Sequence, residues 1–207
     1  DRSAAALHRA RSPWRGMRTE VIGGQLLDIS LEAAGSESVE LANSVNRYKT
    51  AAYTIERPLH LGAAIAGAGE ELIAAFRGYG HDIGIAYQLR DDQLGVFGDP
   101  AVTGKPAGDD LREGKRTELL ALALQRADES DPQAAATLRK LIGHTSDPQE
   151  LSRLAQIIAD SGAPEEIERR IDSLTQSGLQ HLHAAQVDPS VTETLEQLAI
   201  KATARRK

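Results

Sequence analysis

A chain of 207 residues that is 41% hydrophobic is long enough to bury one sizeable core, so one domain is expected. Its net charge of -6 disfavours nucleic-acid binding, because contact with a phosphate backbone needs a surplus of lysine and arginine. Without cysteine the chain has no disulfide or thiolate metal site, and no apolar run is long enough to span a bilayer, so we predict a soluble cytoplasmic protein without stable membrane insertion.

The first third of the chain is predicted to be helical. Aromatic residues make up only 3% of the chain, which favours close-packed helices over a β-sandwich. The proline after Ser12 indicates a helix start, and apolar residues at three- and four-residue steps predict a helix over 14–34. A second helix is predicted over 38–52, and Pro58 then limits or kinks it before a small-residue segment over 59–69.

The rest of the chain shows the same pattern with one interruption. A long helix is predicted over 70–97, and the glycine-rich segment between it and Gly114 is expected to be an ordered loop. Prolines near the starts and glycines near the ends mark the later helices, which are predicted at 118–126, 132–142, 148–161, 164–184 and from about 189 to the basic tail. The predicted fold class is therefore all-α.

Acidic residues cluster where the 70–97 helix ends. In helical geometry Gln88, Asp91, Asp92, Gly95 and Asp99 fall within one broad stripe. Carboxylates that share a face repel each other unless solvent, a base or a divalent cation neutralises them. Carboxylate oxygens suit magnesium, which completes its octahedron with water and phosphate oxygens. For an isolated pair of aspartates a solvated helix end is the simpler explanation, but the residues that follow favour a functional site.

The segment after this helix carries Lys105, Asp110 and Lys115 on a stretch able to fold back over the helix end. Lysine is a compact charge suited to phosphate, so acids, lysines and a metal together could hold a diphosphate. The segment also resembles the phosphate-binding loop of nucleotide-binding proteins, but its spacing excludes that motif. Five residues rather than four separate Gly98 from Gly104, and Pro106 stands where the motif has a serine or threonine.

Three motifs together resemble one enzyme family. Residues 88–117, QLRDDQLGVFGDPAVTGKPAGDDLREGKRT, look like the second aspartate-rich region of trans-prenyl diphosphate synthases, which include farnesyl and geranylgeranyl diphosphate synthases. Residues 24–28, GQLLD, and 48–50, YKT, are similar to two further motifs of that family and occur in the expected order. The similarity extends from about Trp14 to the C-terminus. It implies an antiparallel helical bundle around a central prenyl-binding cavity, assembled as a homodimer.

The resemblance also implies a reaction. Isopentenyl diphosphate would attack the allylic carbon of a prenyl diphosphate, giving a longer trans-polyprenyl diphosphate, such as geranylgeranyl diphosphate, and free diphosphate. Metal ions and lysines must then stabilise the charge that develops on the leaving group, and the implied cofactor is Mg²⁺.

By the same resemblance, each motif residue has an expected role. The implied metal ligands are Asp91, Asp92, Asp110 and Asp1. The groups implied to hold diphosphate are Lys49, Lys105 and Lys115. The groups implied to flank the forming carbocation are Thr50 and Gln88, and those implied to line the same substrate cavity are Gln25 and Asp28. Each could singly be a surface or packing residue, but their occurrence in register favours the site.

The sequence departs from the family pattern in two places. Gly95 stands where many members carry the third aspartate of the second motif. Residues 1–3 resemble only the end of the first aspartate-rich motif, and residues 4–11 resemble a helix start that in the family lies far before Trp14. We therefore expect a single isoprenoid synthase-like domain over 1–207 that lacks N-terminal helices and a segment near 4–12.

Two other functions remain open. A class I terpene cyclase uses similar helices and magnesium, but its pocket relies on aromatic faces, and few aromatic residues are present here. A catalytically silent helical subunit of a prenyl synthase complex would suit the incomplete first motif and Gly95. The sequence does not determine the product chain length or the preferred allylic primer.

Overall fold

The computed structural model describes residues 2–104 and 107–204, and within these ranges it contains helices, turns and short connections but no strand. The predicted all-α class is confirmed. The predicted roles of Asp1 and Lys105 concern residues outside the described ranges. The helices are α1 Arg2–Ala34, α2 Val39–Val45, a π-helix Asn46–Glu56, α3 Arg57–Ala66, α4 Glu70–Phe97, α5 Pro100–Thr103, α6 Asp109–Glu113, α7 Glu118–Ser130, α8 Pro132–Leu141, α9 Pro148–Asp160, α10 Ala163–Ala184 and α11 Pro189–Thr203.

These helices form two compact units. The described part of unit 1 comprises residues 2–27, 44–88 and 171–204, and that of unit 2 comprises residues 28–43 and 89–170. None of the helices in the described ranges is both long and apolar enough to cross a membrane.

The core of unit 1 joins α4 to the last two helices. Tyr79 and Ile83 of α4 are buried together with Leu182 of α10 and Ala199 of α11. The hydroxyl of Tyr79 donates a 2.8 Å hydrogen bond to the carbonyl oxygen of Leu195, so this aromatic side chain is buried without an unsatisfied polar atom.

Glycines bring the π-helix of unit 1 close to its neighbours. A Cβ atom added to Gly24 of α1 would lie 2.5 Å from the backbone nitrogen of Lys49. One added to Gly84 of α4 would lie 2.5 Å from Cα of Ala51, and Gly80 is equally crowded one turn earlier. Real Cβ atoms essentially never approach other atoms so closely. The side-chain-free faces of α1 and α4 therefore let both helices contact the π-helix backbone directly.

Unit 2 has its own core, built from α7, α8 and α9. Leu119, Leu124, Leu138, Leu154 and Ile158 are all fully buried there. A side chain caps the start of each of these helices: Thr117, Asp131 and Asp147 each accept a hydrogen bond from a backbone N–H of the first turn. Because such caps satisfy amide groups that have no partner within a helix, the starts of α8 and α9 coincide with the predicted ones.

The predicted helix start after Ser12 is wrong, because α1 continues through Pro13. A proline inside a helix removes one hydrogen bond and costs roughly 3 kcal/mol or more. Contacts within unit 1 help to offset that cost. The guanidinium of Arg9 donates to the carbonyl oxygens of Ala64 (2.7 Å) and Ile65 (2.9 Å), which holds the turns before the proline against α3.

The predicted 38–52 helix is helical from Val39, but it is not one α-helix, because α2 ends at Val45 and the chain changes to π-helical winding. Pro58 does not break the chain path. It lies in the first turn of α3, where its missing N–H would have no helical partner in any case.

The predicted loop after α4 contains two short helices instead. Asp99 caps α5 by accepting a 2.8 Å hydrogen bond from the backbone N–H of Ala101. Gly108 and Gly114 flank α6 with positive φ angles of 72° and 77°, which glycine adopts at little cost. The 70–97 helix, in contrast, is confirmed at both ends.

Candidate functional site

The π-helix presents two of the predicted site residues, Lys49 and Thr50, and both side chains are half-buried. The hydroxyl of Thr50 donates a 2.7 Å hydrogen bond to Oε1 of Gln88 on α4, within unit 1. The structure thus brings together the two residues that were predicted to flank a carbocation. Because π-helical winding is rare and frequently marks functional sites, it adds an independent indication here.

The GQLLD segment of α1 approaches the π-helix through its glycine. Gly24 packs against the backbone of Lys49, as described above, and the neighbouring Gln25 is exposed. Asp28 belongs to unit 2 and is half-buried. The structure therefore connects Gly24 of this motif with Lys49, and the predicted roles of Gln25 and Asp28 stay predictions.

The aspartate pair on α4 has two different environments. Asp91 is exposed, whereas Asp92 is 4% exposed. Adjacent residues of an α-helix point about 100° apart, so Asp91 and Asp92 lie towards different edges of the predicted broad stripe. Asp99 is wrong as a member of that stripe, because α4 ends at Phe97 and Asp99 caps α5. Asp91 is therefore the carboxylate of this pair that lies open to solvent and to a ligand.

An ion pair fixes the rotation of α4 at this turn. The guanidinium of Arg90 donates to both carboxylate oxygens of Glu168 on α10, at 2.5 and 2.6 Å, and to Oε1 of Gln93 at 2.7 Å. Gln93 in turn donates to the carbonyl oxygen of Pro164 at 3.0 Å. Arg90 and Gln93, which flank the aspartate pair, are thus both hydrogen-bonded to α10. Sequence reasoning missed this function of Arg90, although an arginine directly before two aspartates is a visible signal.

Asp110 occupies the space beside Gly95. A Cβ atom on Gly95 would lie 2.0 Å from Oδ2 and 2.3 Å from Cγ of Asp110, which is 6% exposed. Position 95 lies one turn beyond Asp91, on the same face of α4. The carboxylate of Asp110 on α6 therefore fills the space that a side chain at position 95 would need. A glycine that replaces an acid, followed by an aspartate pair on the next segment, is the signal that could have predicted this arrangement.

Lys115 is the partner of the Asp110 carboxylate, and its ammonium also lies 3.5 Å from Glu113. Burial lowers the pKa of Lys115, but the hydrogen bond and charge of Asp110 outweigh it, and the pKa is raised on balance. Lys115 therefore remains protonated at neutral pH. Its predicted contact with diphosphate stays a prediction.

The donor set suits magnesium better than a metal that needs several side-chain ligands. In residues 2–104 and 107–204, no group of three or more histidine, cysteine or acidic side chains is placed to hold a metal ion. Magnesium typically takes only one or two protein carboxylates and keeps water and phosphate oxygens as its other ligands. An exposed Asp91 with Asp92 next to it on α4, and the Asp110 carboxylate of α6 beside Gly95, fit that requirement.

The sequence matches one family and several named relatives. The model of the polyprenyl synthetase family matches residues 13–160. A geranylfarnesyl diphosphate synthase from Aeropyrum pernix is 44% identical over 110 residues, which is 52% of this chain and 34% of that protein. A geranylgeranyl diphosphate synthase from Mycobacterium tuberculosis is 40% identical over 113 residues, which is 55% of this chain and 32% of that protein. The matched segment thus spans about a third of each of these relatives.

Two solved structures resemble this chain closely in backbone path. A geranylgeranyl pyrophosphate synthase from Corynebacterium glutamicum, complexed with isoprenyl diphosphate and magnesium, is 63% identical with a TM-score of 0.97. The alignment covers 99% of this chain and 57% of that one. A polyprenyl synthetase from Streptomyces coelicolor is 26% identical with a TM-score of 0.85, and covers 95% and 59% of the two chains.

Proposed function

Because the chain belongs to the polyprenyl synthetase family, we propose that it acts as a magnesium-dependent trans-prenyltransferase. It would condense isopentenyl diphosphate with an allylic prenyl diphosphate to give a longer trans-polyprenyl diphosphate. The observation that carries this proposal is the Asp110 carboxylate beside Gly95, since it restores an acidic group to the turn after Asp91. The Corynebacterium synthase that is 63% identical was solved with isoprenyl diphosphate and magnesium, which supports the same substrate class.

Asp91 and Asp92 would hold Mg²⁺, with Asp110 in support. When bound, the ion supplies positive charge that stabilises the departing diphosphate. Lys49 would add a compact positive charge to the same leaving group. Lys115 keeps the Asp110 carboxylate in place and would act through it.

Thr50 and Gln88 would stabilise the organic half of the reaction. Because the Thr50 hydroxyl donates its hydrogen bond to Gln88, the lone pairs of the Thr50 oxygen remain available to face positive charge. Such an oriented dipole favours charge that develops on the allylic carbon. The carbon–oxygen bond to diphosphate breaks, a carbon–carbon bond to isopentenyl diphosphate forms, and the departing diphosphate takes the proton that the new product loses.

The proposal is tested by chromatography of products formed from isopentenyl diphosphate, several allylic primers and Mg²⁺. We expect chain extension with release of diphosphate, and a loss of roughly 10²- to 10³-fold in turnover on Asp91→Ala. The matched control is Asp172→Ala, which removes an exposed carboxylate from α10 and should leave turnover unchanged. Cyclised hydrocarbon without chain extension would indicate a terpene cyclase. Unchanged activity of Asp91→Ala in a mixed complex would indicate a silent subunit.

A homodimer is part of the same proposal. Large apolar side chains are exposed on α1 within unit 1: Ile22 and Leu26 are each 66% exposed one helical turn apart, and Trp14 is 48% exposed. Large apolar side chains that are exposed on one helix are typical of protein interfaces, and a second copy would cover them. Light scattering after size-exclusion chromatography should give twice the chain mass, and Leu26→Glu should shift it towards a single chain. A single-chain mass for the unchanged protein at every concentration would contradict the homodimer.

A further inference from the structure

Unit 2 contains a cavity of about 560 Å³, and its described lining includes none of the residues proposed above for catalysis. Its walls come from the end of α4, from α6 and from α9, and include Val96, Phe97, Asp109, Arg112, Leu151 and Ala155. Binding sites for small molecules commonly have volumes of roughly 300 to 1,000 Å³. The cavity is therefore large enough for a ligand of about ten carbon atoms with a polar head.

The greater part of the lining is apolar. Val96 is buried and Phe97 is half-buried at the end of α4, and Leu151 and Ala155 face them from α9, one helical turn apart. An apolar ligand body that replaces water against these side chains gains roughly 25 cal/mol for each Å² that it buries. This wall therefore favours an aliphatic or isoprenoid-like body.

Among the described residues, the polar part of the lining has no net formal charge. Asp109 is 7% exposed and forms an ion pair with Arg112, so the two charges cancel each other. An anionic ligand would meet the Asp109 carboxylate, and a cationic ligand would meet the Arg112 guanidinium. The hydroxyls of Ser146 and Ser152 also line the cavity, and a hydroxyl can both donate and accept a hydrogen bond. These groups can satisfy a neutral head without the desolvation cost of a charged one.

We propose that this cavity binds a small uncharged amphipathic molecule with an apolar body and a hydroxyl or carbonyl head. The inference does not depend on the proposed prenyl transfer, because it rests on a cavity of unit 2 whose described lining does not include Asp91. It is distinguished from that reaction by the charge of the ligand, since the transferase substrates are diphosphates.

Geraniol and geranic acid provide a matched pair of probes, because they share a ten-carbon skeleton and differ in the charge of the head at pH 7. Calorimetric titration of the full chain, without metal, should show one geraniol site and at least about tenfold weaker binding of geranic acid. Methyl NMR of the same samples should place the shifted signals at Val96 and Leu151. Absence of geraniol binding, shifts confined to other methyl groups, or geranic acid binding as tightly as geraniol would each overturn the proposal.

Variants of α9 test the location. Ala155→Trp and Ser152→Phe each fill the cavity and should weaken geraniol binding at least about tenfold. Gln156→Trp adds the same bulk as the first variant at an exposed position of the same helix, and should leave the affinity within about twofold. Circular dichroism establishes whether each variant is folded. If only one of the two cavity-filling variants folds, that variant alone is enough for the test. Geraniol affinity that survives filling would overturn the proposal.

One further variant tests the charge argument. Asp109→Asn leaves Arg112 without its neutralising partner, so geranic acid should bind at least about tenfold more tightly than it does to the unchanged protein. If the preference for geraniol over geranic acid is unaltered, the assignment of a neutral head is wrong.

Discussion

Two neighbouring glycines of α1 allow a direct test of how unit 1 positions Lys49. Gly24 has no room for a methyl group: its Cβ would lie 2.5 Å from the nitrogen, 2.8 Å from Cα and 2.9 Å from Cβ of Lys49. Gly23 has no atom within 4 Å of the corresponding point. Ordinary van der Waals contact begins at 3.4 Å, so Gly24→Ala must move the π-helix backbone by about 0.9 Å.

The energies of the two substitutions have opposite signs. Alanine is favoured over glycine inside a helix by roughly 1 kcal/mol, and Gly23→Ala should realise most of that gain. Overpacking costs roughly 1 to 3 kcal/mol, and the upper end applies to Gly24→Ala because the opposing atoms belong to backbone rather than to a flexible side chain. We therefore expect Gly24→Ala to lower the free energy of unfolding by about 2 kcal/mol and Gly23→Ala to raise it by about 0.5 to 1 kcal/mol.

Gly24→Ala and Gly23→Ala should also differ in the rate of prenyl transfer. A misplacement of about 1 Å in a group that positions substrate can reduce turnover on the order of 10²-fold. Gly24→Ala should therefore lose one to two orders of magnitude in the prenyl-transfer assay, while Gly23→Ala keeps the full rate. Urea unfolding and product chromatography measure the two effects. Equal stability and equal rate for the two variants would refute the close approach of α1 to the π-helix.

Three further outcomes are expected. Gly95→Asp should lower product formation about 10²-fold because its side chain collides with the Asp110 carboxylate, and adding Asp110→Gly should recover at least about tenfold in the same assay. Thr50→Val removes the donor of the hydrogen bond to Gln88 and should reduce kcat about 10- to 100-fold in steady-state kinetics, with rescue by Thr50→Ser. Burial raises the pKa of Glu118 above its usual 4.5 despite the charge of Arg170, so the folded chain binds this proton more tightly than the unfolded chain does. The contribution of Glu118 to stability is therefore present below about pH 4.5 and is lost as pH rises through the folded pKa. Urea unfolding at increasing pH above about 4.5 should show the stability of Glu118→Gln rising relative to that of the unchanged protein.

Local chemistry explains which elements could be predicted. The helix over 70–97 is predictable at both ends, because Gly69 precedes it and a glycine–aspartate–proline sequence follows it. The starts at Pro132 and Pro148 are predictable because an aspartate cap and a first-turn proline act within a few residues of each other. In each case the determining groups are neighbours in sequence.

The missed features depend on groups that are distant in sequence. The continuation of α1 through Pro13 depends on Arg9 reaching the carbonyl oxygens at the end of α3. The space beside Gly95 is filled by Asp110, which belongs to a different helix. A residue-by-residue resemblance predicted roles for Asp91, Thr50 and Gln88. It could not predict that the carboxylates of Asp91 and Asp92 differ in exposure or that Thr50 and Gln88 form a hydrogen bond.

The π-helix also has an evolutionary consequence. Winding with i→i+5 hydrogen bonds places more residues in each turn than an α-helix does, and such segments can arise when single residues are inserted into an α-helix. Deleting one residue between Asn46 and Glu56 would then let the segment relax towards α-helical winding instead of breaking it. Because the number of residues in each turn would change, the side chains of Lys49 and Thr50 would then point in new directions. A deletion in this stretch should therefore lower the proposed prenyl transfer while leaving a folded chain.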